Sequence, residues 1–193
     1  MLRRLYDRCM ELASHRHAPV ALFGVSFVES SIFPIPPDVM LIPMVLADRA
    51  KAWRYALLCT VASVLGGIAG YAIGLFLFEA VGQPLLDFYG YSEKFQHFAS
   101  RYNEYGAWIV FFAGVTPFPY KVITIASGAT ALSFPVFLVA SMAARGLRFF
   151  IVAALLYWVG PPIRDFIERR LGLVTTLFLV SLFGGFFLVK YLL

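Results

Sequence analysis

Glu29-Ser-Ser-Ile-Phe-Pro-Ile-Pro-Pro-Asp38 and Thr116-Pro-Phe-Pro-Tyr-Lys121 decide how this chain folds. Each holds a Pro-x-Pro core with a charge two residues later. The first is Pro34, Pro36 and Asp38, and the second is Pro117, Pro119 and Lys121, 83 residues further on. Proline removes a backbone donor and clashes with the preceding turn, so a helix entering either motif breaks there. Irregular backbone at membrane depth survives only where it is packed in protein or lines a wet cavity. An ionisable side chain beside such a break is costly to bury in lipid and marks function more often than not. Matching breaks in two halves predict an internal repeat whose halves meet around a polar site near the midplane.

Composition fixes the medium. Of 193 residues, 61% are hydrophobic and only 14% charged, with mean hydropathy +0.80. A soluble domain carries about 25% charged residues, so this is an integral membrane protein. Residues 55–78 and 171–189 are uncharged runs of the length that crosses a bilayer core, roughly 20 residues. Asp7, Glu11, His15 and His17 fall where a signal peptide would have its apolar centre, so no cleavable signal is expected. The net charge of +5 is spread without a basic, aromatic-interleaved patch. It fits membrane orientation rather than nucleic acid. Cys9 and Cys59 lack ligand spacing and read as packing residues.

Residues 18–47 form an apolar stretch too long for one crossing and too short for two with a turn, which fits a re-entrant hairpin of two half-helices. Charge supports this. Arg3, Arg4 and Arg8 precede the stretch and Arg49, Lys51 and Arg54 follow it, and basic flanks collect on the cytoplasmic side. The helix from about Lys51 to Glu79 then crosses outward. The second motif repeats the theme from Gly106 to Ala131, Phe134–Trp158 crosses back, and Arg164, Arg169 and Arg170 return to the cytoplasm. The expected architecture is all-α, an inverted-topology repeat with two re-entrant hairpins and about three full crossings, in one membrane domain spanning residues 1–193. Repeat 1 covers about 1–80, repeat 2 about 84–160, and a last transmembrane helix about 171–191. Residues 4–15 and 85–105 would lie along the interface as amphipathic segments. Trp53, Trp108 and Trp158 fall near predicted boundaries.

Five ionisable side chains lie inside apolar segments: Glu29, Asp38, Lys121, Arg145 and Arg148. Arg145 and Arg148, three apart, share a helix face near mid-crossing, where snorkelling is difficult. Arginine matches phosphate geometry and stays charged when desolvated. This suits an anionic head group, or permanent pairing with Glu29 and Asp38 as the plainer alternative. Either carboxylate could also carry a proton, and Glu29 could instead help Ser30 and Ser31 cap the helix end. Gly66, Gly70 and Gly74 make a small-residue face that could serve an intramolecular contact or a homodimer. No nucleophile constellation, phosphate-binding glycine loop or metal cluster stands out. No enzyme, cofactor or metal site is therefore expected.

The two quoted motifs, with Gly66-Gly-Ile-Ala-Gly-Tyr71 and Gly128, resemble the DedA family, also called the VTT or SNARE-associated family, over about residues 20–160. The branch it resembles is that of the small YqaA-like proteins. The resemblance implies two facing re-entrant hairpins with membrane-embedded acidic and basic residues, and movement of phospholipids or polyprenyl phosphates between leaflets, dependent on the proton motive force. By motif position, Glu29 and Asp38 correspond to the family's acidic pair. Lys121 stands where the family has the second of two arginines around a proline, and the first has no charged counterpart here. The expected function is a flippase- or scramblase-like lipid translocase of the bacterial inner membrane with a cytoplasmic N-terminus. Lys121, Arg145 and Arg148 would bind a phosphate-bearing lipid, and Glu29 and Asp38 would couple to protons. A membrane organiser or partner-binding protein and a proton-coupled small-solute transporter are the rival readings.

Overall fold

Pro19 in the first turn supplies a preset φ and needs no donor, and from it α1 runs over Ala18–Ser31. The computed structural model describes residues 17–32, 36–116 and 118–169, without the side chains of 161–169. Pro34, Pro117, the amphipathic stretch 4–15 and the last apolar segment 171–191 therefore lie outside the described residues. α1 stops at Ile32, two residues before Pro34, where the first motif predicts a break. α2 restarts at Asp38 and runs to Ala47. A short 3-10 turn, Arg49–Lys51, leads into α3, Ala52–Leu77. Its 26 residues span about 39 Å at 1.5 Å each, more than the hydrocarbon core.

A π-helical turn, Phe78–Gly82, passes into α4, Gln83–Tyr89. Gly90, with φ of 70°, ends α4 in the left-handed conformation that glycine adopts freely. α5, Ser92–Glu104, carries aromatic residues among charges, and α6, Gly106–Val115, ends at the second motif. α7 restarts over Tyr120–Ala129. α8 runs from Phe134 to Arg169, kinked at Val159 just ahead of Pro161 and Pro162. No strand occurs among the described residues.

α3 and α8 are antiparallel. Arg49 at the start of one donates to the Tyr157 carbonyl near the far end of the other, and Tyr71 packs on Phe137 at the opposite end. α1 lies parallel to α3, with Ser30 reaching Ser63, and α6 lies parallel to α8, with Gly114 reaching Ala144. Both breaks thus sit halfway along the long helices. The return arms cross over: α2 packs on α8 and α7 on α3. Leu132, just beyond α7, closes back on Gly106 at the start of α6.

Apolar side chains form two cores. One joins Leu22, Leu41, Met44, Val45 and Cys59 to Phe149, Ala153 and Leu156. The other gathers Tyr102, Val110, Tyr120, Leu132, Phe137 and Ala140. The outer faces remain apolar, with Leu57, Val61, Leu65, Val139, Met142, Ile151 and Leu155 exposed. Apolar windows of α3 and α8 are only 33% and 39% buried. A helix in a soluble core would hide such a surface, so lipid is the medium that accounts for it.

Candidate functional site

Between the two cores lies a polar layer at the level of both breaks. Glu29, in the last turn of α1, turns its carboxylate toward α8 rather than to the backbone. Its Oε2 accepts from Arg145 Nη2 at 3.0 Å and from Ser30 Oγ at 3.0 Å. The Ser31 hydroxyl bonds back into α1, donating to the Phe27 and Val28 carbonyls, and the Ile32 N–H closes the helix on Val28. Arg145 Nε donates to Ser63 Oγ at 2.6 Å, and Ser63 bonds Ser30 at 2.6 Å. The guanidinium also sits between two rings, 4.8 Å from the Tyr120 centroid and 4.7 Å from that of Phe149. With 1% of its surface exposed, Arg145 is enclosed on every side. Desolvation alone would make so buried a charge untenable, and the carboxylate, hydroxyl and ring faces offset it.

Arg148, one turn further on the same face, is 18% exposed. Its Nη2 donates to Asp38 Oδ2 at 2.6 Å and its Nη1 to the Thr116 carbonyl at 2.7 Å. Asp38 opens α2, where a helix favours an anion. Its other oxygen, Oδ1, is buried and has no hydrogen-bond partner among the described residues. Lys121, in the first turn of α7, donates to the Ile32 carbonyl at 3.2 Å. Thr124, one turn later, donates to the Ser30 carbonyl at 3.1 Å. α7 thus satisfies carbonyls left open at the end of α1.

All five ionisable residues singled out in the sequence converge on this layer. The prolines Pro36 and Pro119 flank it; Pro34 and Pro117 are not described. Ser63, Tyr120, Thr124 and Ser141 were not singled out. Tyr120 is fully buried and donates to Ser141. Hydroxyls in apolar spans carry little signal in sequence, because each can satisfy itself on its own helix, as Thr60 does on the Ala56 carbonyl at 2.8 Å. The glycine face has an intramolecular answer. A Cβ at Gly66 would overlap the Phe27 carbonyl, one at Gly70 the Thr124 hydroxyl, and one at Gly74 the Ile125 carbonyl. Among the described residues no cluster of His, Cys, Asp or Glu could hold a metal ion.

Long apolar helices around a buried layer of ion pairs define a helical membrane protein. Residues 35–158 match the family model described as the VTT domain, and the chain belongs to this family, the DedA family. It is 36% identical over 186 residues to an uncharacterized protein of Haemophilus influenzae, across 96% of both chains. It is also 40% identical over 156 residues to a Histophilus somni relative, across 81% of each. No solved structure matches the chain.

Proposed function

We propose that the protein moves a phosphate-bearing lipid between the leaflets of the bacterial inner membrane, without enzymatic chemistry. Family membership supports a transport or lipid-related role. The observation that carries the finer reading is the position of Lys121 and Arg148. Two cations, both partly exposed, stand at the ends of α1 and α6, on the Ile32 and Thr116 carbonyls, halfway along α3 and α8. In this reading α1–α2 and α6–α7 are re-entrant hairpins related by an inverted repeat. The interchange of partners supports it: α1 on α3 and α7 on α3 mirror α6 on α8 and α2 on α8.

Roles divide within the site. Lys121 and Arg148 receive the phosphate, because guanidinium and ammonium donors that are not enclosed can change partners. Arg145 binds no lipid and instead positions Glu29 and the α1 tip. Asp38 competes with the head group for Arg148, so a proton on Oδ1 favours phosphate by removing a like charge. Rocking of one repeat against the other would expose the site to each side in turn. The basic residues that precede α1 and follow α2 support a cytoplasmic N-terminus in this reading.

Leaflet exchange of fluorescent phospholipids and of a polyprenyl phosphate in liposomes tests this, with Glu29→Gln and Arg148→Ala alongside. Exchange by the parent chain and its loss in both variants is the expected result. Absence of exchange for every lipid by folded, inserted protein would overturn it. A second reading, a non-transporting membrane organiser, is favoured by one feature: Glu29, Asp38, Arg145 and Arg148 are already paired with one another. It predicts that neutral substitutions of these residues leave function intact.

A further inference from the structure

The exposed cations differ from Arg145 in what they hold. Arg145 is spent on a carboxylate, a hydroxyl and two ring faces. Lys121 and Arg148 each hold a backbone carbonyl at a broken helix end, Ile32 after α1 and Thr116 after α6. Such ends carry partial negative charge from the helix dipole. Each contact also joins two separate elements. Lys121 ties the second hairpin to the first, Arg148 ties α8 to the second through Thr116, and Asp38 extends the same tie to the first.

Resting on the translocase reading, we propose that these carbonyls occupy the head-group site in the absence of lipid and clamp the hairpin tips shut. Phosphate binding then opens the tips by ligand exchange. A phosphate brings full charge and several acceptor oxygens, so it is a stronger partner than a neutral carbonyl for Lys121 and for Nη1 of Arg148, whose Nη2 is held by Asp38. An anion shifts a conformational equilibrium only if it binds one state better. Here the difference is built in: closed tips use the donors and open tips free them. The released Ile32 and Thr116 carbonyls must then be hydrated, because leaving them dry is costly. Opening therefore admits water to the same place. Thr124 is outside the exchange, since its bond to the Ser30 carbonyl is buried.

The test measures the distance between the tips by electron spin resonance, with nitroxides at Val39→Cys and Val122→Cys. Both positions are exposed on α2 and α7, and Cys9→Ser and Cys59→Ala remove the native thiols. The full chain is placed in phosphatidylcholine vesicles with and without phosphatidic acid, and lipid exchange is followed in the same samples. Phosphatidic acid is expected to add a longer-distance population. Lys121→Met should show that population without it, whereas Lys121→Arg, which keeps a donor, should stay closed. An unchanged distance in Lys121→Met overturns the clamp. Lengthening in that variant without a response to phosphatidic acid overturns phosphate as the displacing ligand. Exchange of lipid at constant distance overturns the clamp and leaves the translocase standing. Lengthening in both tests without exchange of any lipid supports the clamp and overturns the translocase.

Discussion

Arg145 and Arg148 lie three residues apart on α8, yet their surroundings assign them different work. Removing Arg145 leaves Glu29 without its ion-pair partner in a nearly closed site, and breaking such a pair from one side costs about 3–5 kcal/mol. Arg145→Met is therefore expected to lower thermal stability in detergent by that order. Adding Glu29→Gln should restore a large part of the loss, which a double-mutant comparison would reveal. Arg148 is itself partly exposed, so water can take its place beside Asp38, and Arg148→Ala should cost less stability while abolishing exchange. Equal destabilisation by the two single substitutions would contradict this division. The sequence exposed both arginines, because charge in an apolar run is conspicuous. It could not separate them, because enclosure is completed by Ser63 and Tyr120, which come from other helices and join Phe149, one turn along α8.

At the level of helices, α3 and α7 meet backbone to backbone. A Cβ on Gly74 would overlap the Ile125 carbonyl, and one on Gly128 the Tyr71 carbonyl. Gly74→Leu and Gly128→Val are expected to drive these helices apart and yield aggregated protein in size-exclusion chromatography. Gly24→Ala, with nothing within 4 Å of the added carbon, should elute as the parent does. Four-residue spacing announced the glycine face, but periodicity identifies a face and not its occupant. Two helices of the same chain, α1 over Gly66 and α7 over Gly70 and Gly74, cover this one, so it is not available to a second copy. The turn between α2 and α3 offers a contrast. Lys51 donates to Asp48 at 2.6 Å and holds that carboxyl below its ordinary pKa of 3.8. The contribution is present above pH 3.8 and fades as pH falls through the lower folded value. The pair is exposed and screened, so Asp48→Asn should barely change melting at neutral pH. Any difference from the parent should vanish in acid.

Over the whole molecule, the start of α3 and the loop helices α4 and α5 lie at opposite ends of the bundle. A bilayer between them predicts that Ala50→Cys and Gln96→Cys, both exposed, react with an impermeant thiol reagent from opposite sides of a vesicle. Labelling from one side would contradict the crossing of α3. The positions of helices and breaks were legible because proline, charge and length act locally. The pairing of return arms with opposite long helices was not, since it arises from contacts between residues far apart in the chain, Asp38 with Arg148 and Gly74 with Ile125.

The first apolar core joins α1, α2 and α3 to Phe149, Ala153 and Leu156. During synthesis the early helices enter the membrane long before those side chains exist, and the carboxylates of Glu29 and Asp38 enter with no arginine to meet them. The first half of the chain therefore stays incomplete until α8 is made, with its core open and both carboxylates unpaired by arginine. Chains truncated ahead of residue 145 should be short-lived in the cell. Supplying the second half as a separate polypeptide should extend their lifetime.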